Sequence, residues 1–154
     1  MKKTLTLSLV IILVDQIIKL IITNTISIYQ NIDIIKNLLS LTYVQNKGAA
    51  FSILNGNTIF LILISIFALV FIYIYLIKGK SLNKVEIILY SLLIGGILGN
   101  LIDRIFRGFV IDYISVNIFG YKFPIFNFAD ICIVISVIVL VIFEFIGEKK
   151  CNIK

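Results

Sequence analysis

The stretch "FPIFNFADICIVISVIVLVIF", Phe123 to Phe143, sets one carboxylate, Asp130, in front of thirteen residues that carry no charge. Continued to about residue 146, the run is a helix long enough, at about 1.5 Å per residue, to cross most of a hydrocarbon core of about 30 Å. Similar runs occupy about 5–23, 58–77 and 85–102. The chain has 154 residues, is 60% hydrophobic and 14% charged, and has a mean hydropathy of +1.13. Soluble domains hold roughly 45–50% apolar residues. The reading is an all-α membrane protein, a single integral membrane domain over 1–154. Its four transmembrane helices carry a small extracytoplasmic β-rich platform.

Charge placement orients it. Lys2, Lys3, Lys78, Lys80, Lys84, Lys149, Lys150 and Lys154 lie on one side, against Lys36, Lys47, Arg107 and Lys122 on the other. By the positive-inside rule both termini face the cytoplasm, and segments 24–57 and 105–128 face outside. The net charge of +6 is therefore a topology signal, and no nucleic-acid partner is expected. The start, "MKKTLTLSLVIILV", imitates a secretory signal, but no small-residue cleavage site follows, so it is expected to stay as the first span. Cys132 and Cys151 are nineteen positions apart. On a helix that is about 28 Å, beyond reach of a disulfide. There is no histidine, which removes histidine-based triads and dyads and the usual zinc sites.

The outer segments depart from a simple bundle. "LLSLTYVQN", Leu38 to Asn46, has a rough period of two, and "ISIYQNIDII" shares its strand-forming composition. Gly120 in "VNIFGYKFPIFN" reads as a hairpin turn. Tyr29, Tyr43, Phe119, Tyr121 and Phe126 are expected at headgroup depth.

Polar residues inside spans need reasons, because an Asp or Lys at the bilayer centre costs about 2.5–3.5 kcal/mol on insertion scales. Asp15 and Lys19 stand four apart, the spacing of a helical ion pair. Gly95 and Gly99 let a neighbouring helix approach closely. Asn100, Asp103 and Arg104 share one face beyond them. Asp103 and Arg104 each read as interface anchors, whereas Asn100 beside a packing glycine needs a buried hydrogen-bond partner. In "NFAD", Asn127 fits an N-cap and Asp130 an acid facing the helix dipole. Asp112, in "GFVIDYI", enters the same outer zone as Asp130. Two carboxylates in one polar pocket cannot both ionise comfortably, so the pair can hold a single proton. Such a pair suits peptide hydrolysis, a proton-coupled transporter that could also use Asp15, or a cation site of Asp and Asn ligands. Spacing leaves these open.

The blocks "VDQIIK" (Val14 to Lys19), "QNKGAAFSIL" (Gln45 to Leu54), "GGILGNLIDRIFRGFVIDYI" (Gly95 to Ile114) and "PIFNFADICI" (Pro124 to Ile133) resemble the signature regions of bacterial lipoprotein signal peptidase, signal peptidase II, in order and spacing. The resemblance implies an aspartic endopeptidase of the bacterial cytoplasmic membrane. It would cleave the signal peptide from diacylglyceryl-modified prolipoproteins just before the lipidated cysteine. It carries Asp112 and Asp130 over as the catalytic dyad. Asp15, Asn46, Gly48, Asn100, Arg104, Asn127 and Ala129 become substrate-binding or dyad-supporting positions. The small residues after Asn46 would let a substrate backbone approach, with the Asn46 amide offering it a donor and an acceptor. Asp130, at a helix N-terminus, is expected to be the base. No cofactor or metal is expected. The partners are the precursor and membrane lipids, and the chain is expected to act as a monomer.

Overall fold

A chain in hydrocarbon has no water to satisfy its amides, so each apolar run closes its hydrogen bonds within itself. The computed structural model describes residues 1–49 and 53–151; Ala50 and Ser52 of the small-residue run and Lys154 of the terminal cluster lie outside them. The helices are α1 (Lys2–Thr25), α2 (Thr58–Phe71), α3 (Lys84–Arg107) and α4 (Phe128–Cys151). α2 continues through Ile72–Ile77 as a π-helix, so among the described residues four helices are long and apolar enough to cross a membrane. α3 is central: half of its apolar window is buried, against 11% to 22% for the others.

Local chemistry sets the limits of α3. At its start Asn83 Oδ1 accepts the Val85 and Glu86 amides at 2.9 and 3.0 Å, while Glu86 accepts the Asn83 amide at 2.7 Å, a complete capping box. Asn83→Ala should lower stability by about 1 kcal/mol while leaving turnover of the folded protein unchanged. Thermal unfolding in detergent beside an activity assay checks both. At its end Gly108 takes the left-handed φ of 79°. α3 runs to Arg107 instead of stopping near 102, because Asp103 finds partners inside the bundle and can continue the helix.

The outer segments form one antiparallel sheet of order β1-β2-β3-β4: β1 (Asn31–Ile35), β2 (Leu39–Asn46), β3 (Val110–Ile118) and β4 (Tyr121–Lys122). β2 matches the alternating segment. β3 and β4 turn at Phe119 and Gly120, whose φ values of 51° and 85° are both left-handed, as a two-residue turn matching strand twist requires. The sheet rests on the end of α1, where Tyr43, Ile111 and Tyr113 cluster with Ile22 and Ile26. Fully burying an aliphatic side chain stabilises by about 1.5–3 kcal/mol, so this cluster fastens the sheet to the bundle. It also corrects one expectation: Tyr43 is only 7% exposed and belongs to this core, not to an aromatic belt. Tyr29, Phe119 and Tyr121 are exposed.

Candidate active site

The site is built on a buried charge network between α1 and α3. A buried charge is tolerable only when paired and hydrogen-bonded. Lys19, fully buried, has its ammonium 2.8 Å from both Asp15 Oδ2 and Asp103 Oδ2. The same ammonium donates to Asn100 Oδ1 at 2.9 Å. Asp103 also pairs with Arg107 and accepts from Gln16 Nε2 at 3.1 Å. Its second oxygen accepts the backbone amide of Ile111 at 3.2 Å, which pins β3 at the residue before Asp112. Asp103 is thus a fully buried tie, not an interface anchor. Sequence separation hid this, since apart from Arg107 its partners lie on α1 and β3.

Helix packing brings the other half of the site close. A Cβ built on Gly95 would lie 2.6 Å from Ile11 Cβ, on Gly96 2.6 Å from the Ala129 carbonyl oxygen, and on Gly99 2.6 Å from Asp15 Oδ2. The close approach read from Gly95 and Gly99 is present, and Gly96 makes the contact that seats α4. Ala129, fully buried, donates its amide to Asp15 Oδ1 at 3.2 Å. Asn127 Oδ1 accepts the Asp130 amide at 3.0 Å while Asp130 Oδ2 accepts the Asn127 amide at 3.1 Å. This reciprocal cap starts α4 as "NFAD" suggested and holds the Asp130 carboxylate.

Between these walls the two carboxylates share one set of amides. Asn127 Nδ2 donates to Asp112 Oδ1 at 2.7 Å and to Asn100 Oδ1 at 3.2 Å. Asn100 Nδ2 donates to Asp130 Oδ1 at 2.8 Å. Asn46 Nδ2 donates to Asp112 Oδ2 at 2.9 Å, and Asn46 Oδ1 accepts the Gly48 amide at 2.8 Å. The Asn46 amide is therefore engaged by Asp112 and its own loop instead of standing open to a substrate. Arg104 Nη2 donates to the Gly48 carbonyl at 3.2 Å and ties that loop to α3.

β3 reaches α4 through Phe126, whose carbonyl accepts the Tyr113 and Ile114 amides at 3.1 and 2.8 Å. The Tyr113 hydroxyl accepts the Phe128 amide at 3.2 Å. Its pKa is pushed up to about 12, chiefly by burial, so it stays protonated. Asp112 is only 3% exposed, and its pKa is pushed up to about 7, first by burial and next by the negative charge of Asp130. The amides of Asn46 and Asn127 oppose that rise.

Two cavities meet at Asp112. One, of about 620 Å³, holds Asp112, Asp130, Asn100 and Arg104 at its polar end and runs along Ile131, Val134 and Ile135 of α4. The other, of about 580 Å³, opens over the sheet beside Gln45, Lys47, Tyr121 and Lys122. Asn46, Asp112 and the Phe123–Ile125 segment line both. Every site residue named from the sequence falls in or against this arrangement. Sequence reading missed Asp103, Tyr113 and Gly96 as parts of it. The glycine doublet was the one local signal for Gly96.

A four-helix membrane body with a carboxylate pair beneath a sheet has the build of a membrane enzyme. Two solved bacterial membrane enzymes are similar in structure. One has a TM-score of 0.86 and 36% identity, covering 100% of this chain and 93% of that one. The other has a TM-score of 0.81 and 38% identity, covering 92% of each. The signal peptidase (SPase) II profile matches residues 7–146. The lipoprotein signal peptidase of Clostridium acetobutylicum is 41% identical over 140 residues, 90% of this chain and 91% of that protein. That of Staphylococcus haemolyticus is 40% identical over 139 residues, 90% and 88% respectively. The chain belongs to the signal peptidase II family, and is a multi-pass membrane protease.

Proposed function

We propose that this protein is an aspartic endopeptidase that removes the signal peptide from diacylglyceryl-modified prolipoproteins, cutting just before the lipid-bearing cysteine. The observation that carries this reading is the meeting of Asp112 and Asp130 in one cavity, linked through Asn127 and Asn100. Asp130 takes a proton from water, whose oxygen attacks the scissile carbonyl carbon, while Asp112 gives its proton to the carbonyl oxygen. In the collapse Asp130 passes its proton to the leaving nitrogen and Asp112 recovers one from the gem-diol, so the C–N bond breaks and the dyad is restored. The cavity wall of Ile131, Val134 and Ile135 suits the apolar signal segment and acyl chains. The cavity over the sheet suits the chain beyond the cut.

The site belongs at the extracytoplasmic face of the bacterial cytoplasmic membrane, with both termini cytoplasmic, on the lysine count. One chain supplies every group named, which supports a monomer. Asn46, Gly48, Asn100, Arg104, Asn127, Ala129 and Asp15 hold the dyad and its loop. A transporter exchanging protons at Asp15 is disfavoured, because that carboxylate is fully buried and bonded to Lys19 and Ala129.

Purified protein in detergent should shift a diacylglyceryl-modified precursor to product size on a gel and leave the unmodified precursor intact. No cleavage of the modified precursor overturns the reading. The rate has a predicted pH dependence. Folded Asp112 keeps its proton from its ordinary value of 3.8 up to about 7, where the unfolded chain has released it. Stability from this group is therefore full below 3.8 and is lost as pH rises through about 7. Activity that needs protonated Asp112 should fall over the same upper limit, with apparent values belonging to the pair. A pH–rate profile still flat at about pH 9 would refute the acid role.

A further inference from the structure

Lys19 sits in α1 with no exposure to solvent, and nothing in the hydrolysis above uses it. Its three N–H groups meet three acceptors: Asp15 Oδ2, Asp103 Oδ2 and Asn100 Oδ1. Two carboxylates would satisfy a buried ammonium electrically; the third bond, to a neutral amide, goes to the residue that donates to Asp130.

We propose that Lys19 is a positioning residue for the dyad, which locks the Asn100 amide so that Asp130 always faces its N–H. This rests on the reading of Asp112 and Asp130 as the catalytic pair. The two ends of an asparagine amide are nearly the same size, so sterics alone do not choose between them. An ammonium has donors only. It therefore accepts one orientation, oxygen toward Lys19 and nitrogen toward Asp130. Asn127 Nδ2 favours the same orientation. The lock matters when Asp130 has taken the proton from water. A protonated carboxyl can donate, and an unrestrained amide would turn its oxygen toward it and hold the proton there. With Lys19 in place Asp130 meets a donor in both protonation states, so its proton passes on to the leaving nitrogen.

The charged groups around Lys19 are Asp15 on α1, Asp103, Arg104 and Arg107 on α3, Asp112 on β3 and Asp130 on α4. Asp15, Lys19, Asp103 and Arg107 sum to zero, so removal of Lys19 leaves one net negative charge beside the dyad.

The test compares Lys19→Met, Lys19→Gln and the double variant Lys19→Met/Asp15→Asn with the natural chain, using diacylglyceryl-modified precursor across pH and thermal unfolding in detergent. Lys19→Met should lower kcat by about tenfold or more, because the bond lost is to an amide serving a charged group, and leave KM within about twofold. Its acid limb should move to higher pH. Lys19→Gln, which can still donate to the Asn100 oxygen, should regain part of kcat. The double variant relieves the stranded carboxylate and should regain stability while its kcat stays low, below that of Asp15→Asn alone, which reads the loss of the Asp15 bond to the Ala129 amide. If stability and kcat return together in the double variant, or if all three variants fail to fold, Lys19 is structural and the proposal is overturned. If the natural chain itself cuts no modified precursor, it is the proposed function that fails.

Discussion

Replacing Asp112 by Asn should lower precursor cleavage by about a thousandfold, the middle of the range for loss of a positioned acid or base. Asn is the same size, so β3, its contact with Phe126 and the wall of the cavity remain. An amide cannot deliver a proton to the carbonyl oxygen or recover it. One of the two donors now aimed at Asp112, from Asn46 or Asn127, would face an N–H instead of an oxygen, a local loss on the order of 1 kcal/mol. The variant should therefore still insert, fold and bind precursor. Asp130→Asn should be equally inactive, and the double variant no worse than either single one, because residues that act as a unit lose their function together. Single-turnover cleavage measured beside precursor binding decides the matter. Near-full turnover in either single variant means that the carboxylates are not a dyad.

Gly96→Ala should be the most damaging change outside the acids. Its Cβ would sit 2.6 Å from the Ala129 carbonyl oxygen and 2.8 Å from Ile133 Cγ1. The first obstacle is backbone, which cannot rotate aside, so α4 has to move away from α3. Overpacking of this kind costs about 1–3 kcal/mol. The damage should exceed that figure in activity, because Asp130 follows Ala129 directly. A displacement of about 1 Å at reacting groups can cost about a hundredfold in rate. Asn83→Ala is the comparison. It removes a cap at the opposite end of α3, so at a similar loss of thermal stability it should keep its turnover. Equal turnover in Gly96→Ala and Asn83→Ala would show that the α3–α4 contact does not set the position of Asp130.

Some elements were plain in the residues because their causes are local. The four spans follow from hydropathy and length, and β2 from its alternation. The start of α4 follows from Asn127 and Asp130 standing three apart, close enough to cap one helix end between them. Asp112 and Asp130 could be singled out because acids at the edge of apolar runs are costly, and the family resemblance then distinguished them from other acids. Asp103 and Tyr43 were misread for the same reason. Each was judged by the water or membrane expected around its own segment, while what buries it includes residues far away in the chain: Lys19 for Asp103, and Ile111 and Tyr113 for Tyr43.

The amino-acid order by itself determined that this chain enters a membrane as four helices, which ends carry the lysines, and which acids are expensive enough to need a purpose. Those properties depend on transfer energies and on spacing along one helix, and both can be read one segment at a time. Only the tertiary structure decided which amide end each carboxylate meets, that Lys19 stands behind Asn100, and that Gly96 seats α4. Hydrogen bonds discriminate over tenths of an ångström and by direction, and neither quantity exists until α1, α3, α4 and β3 have come together.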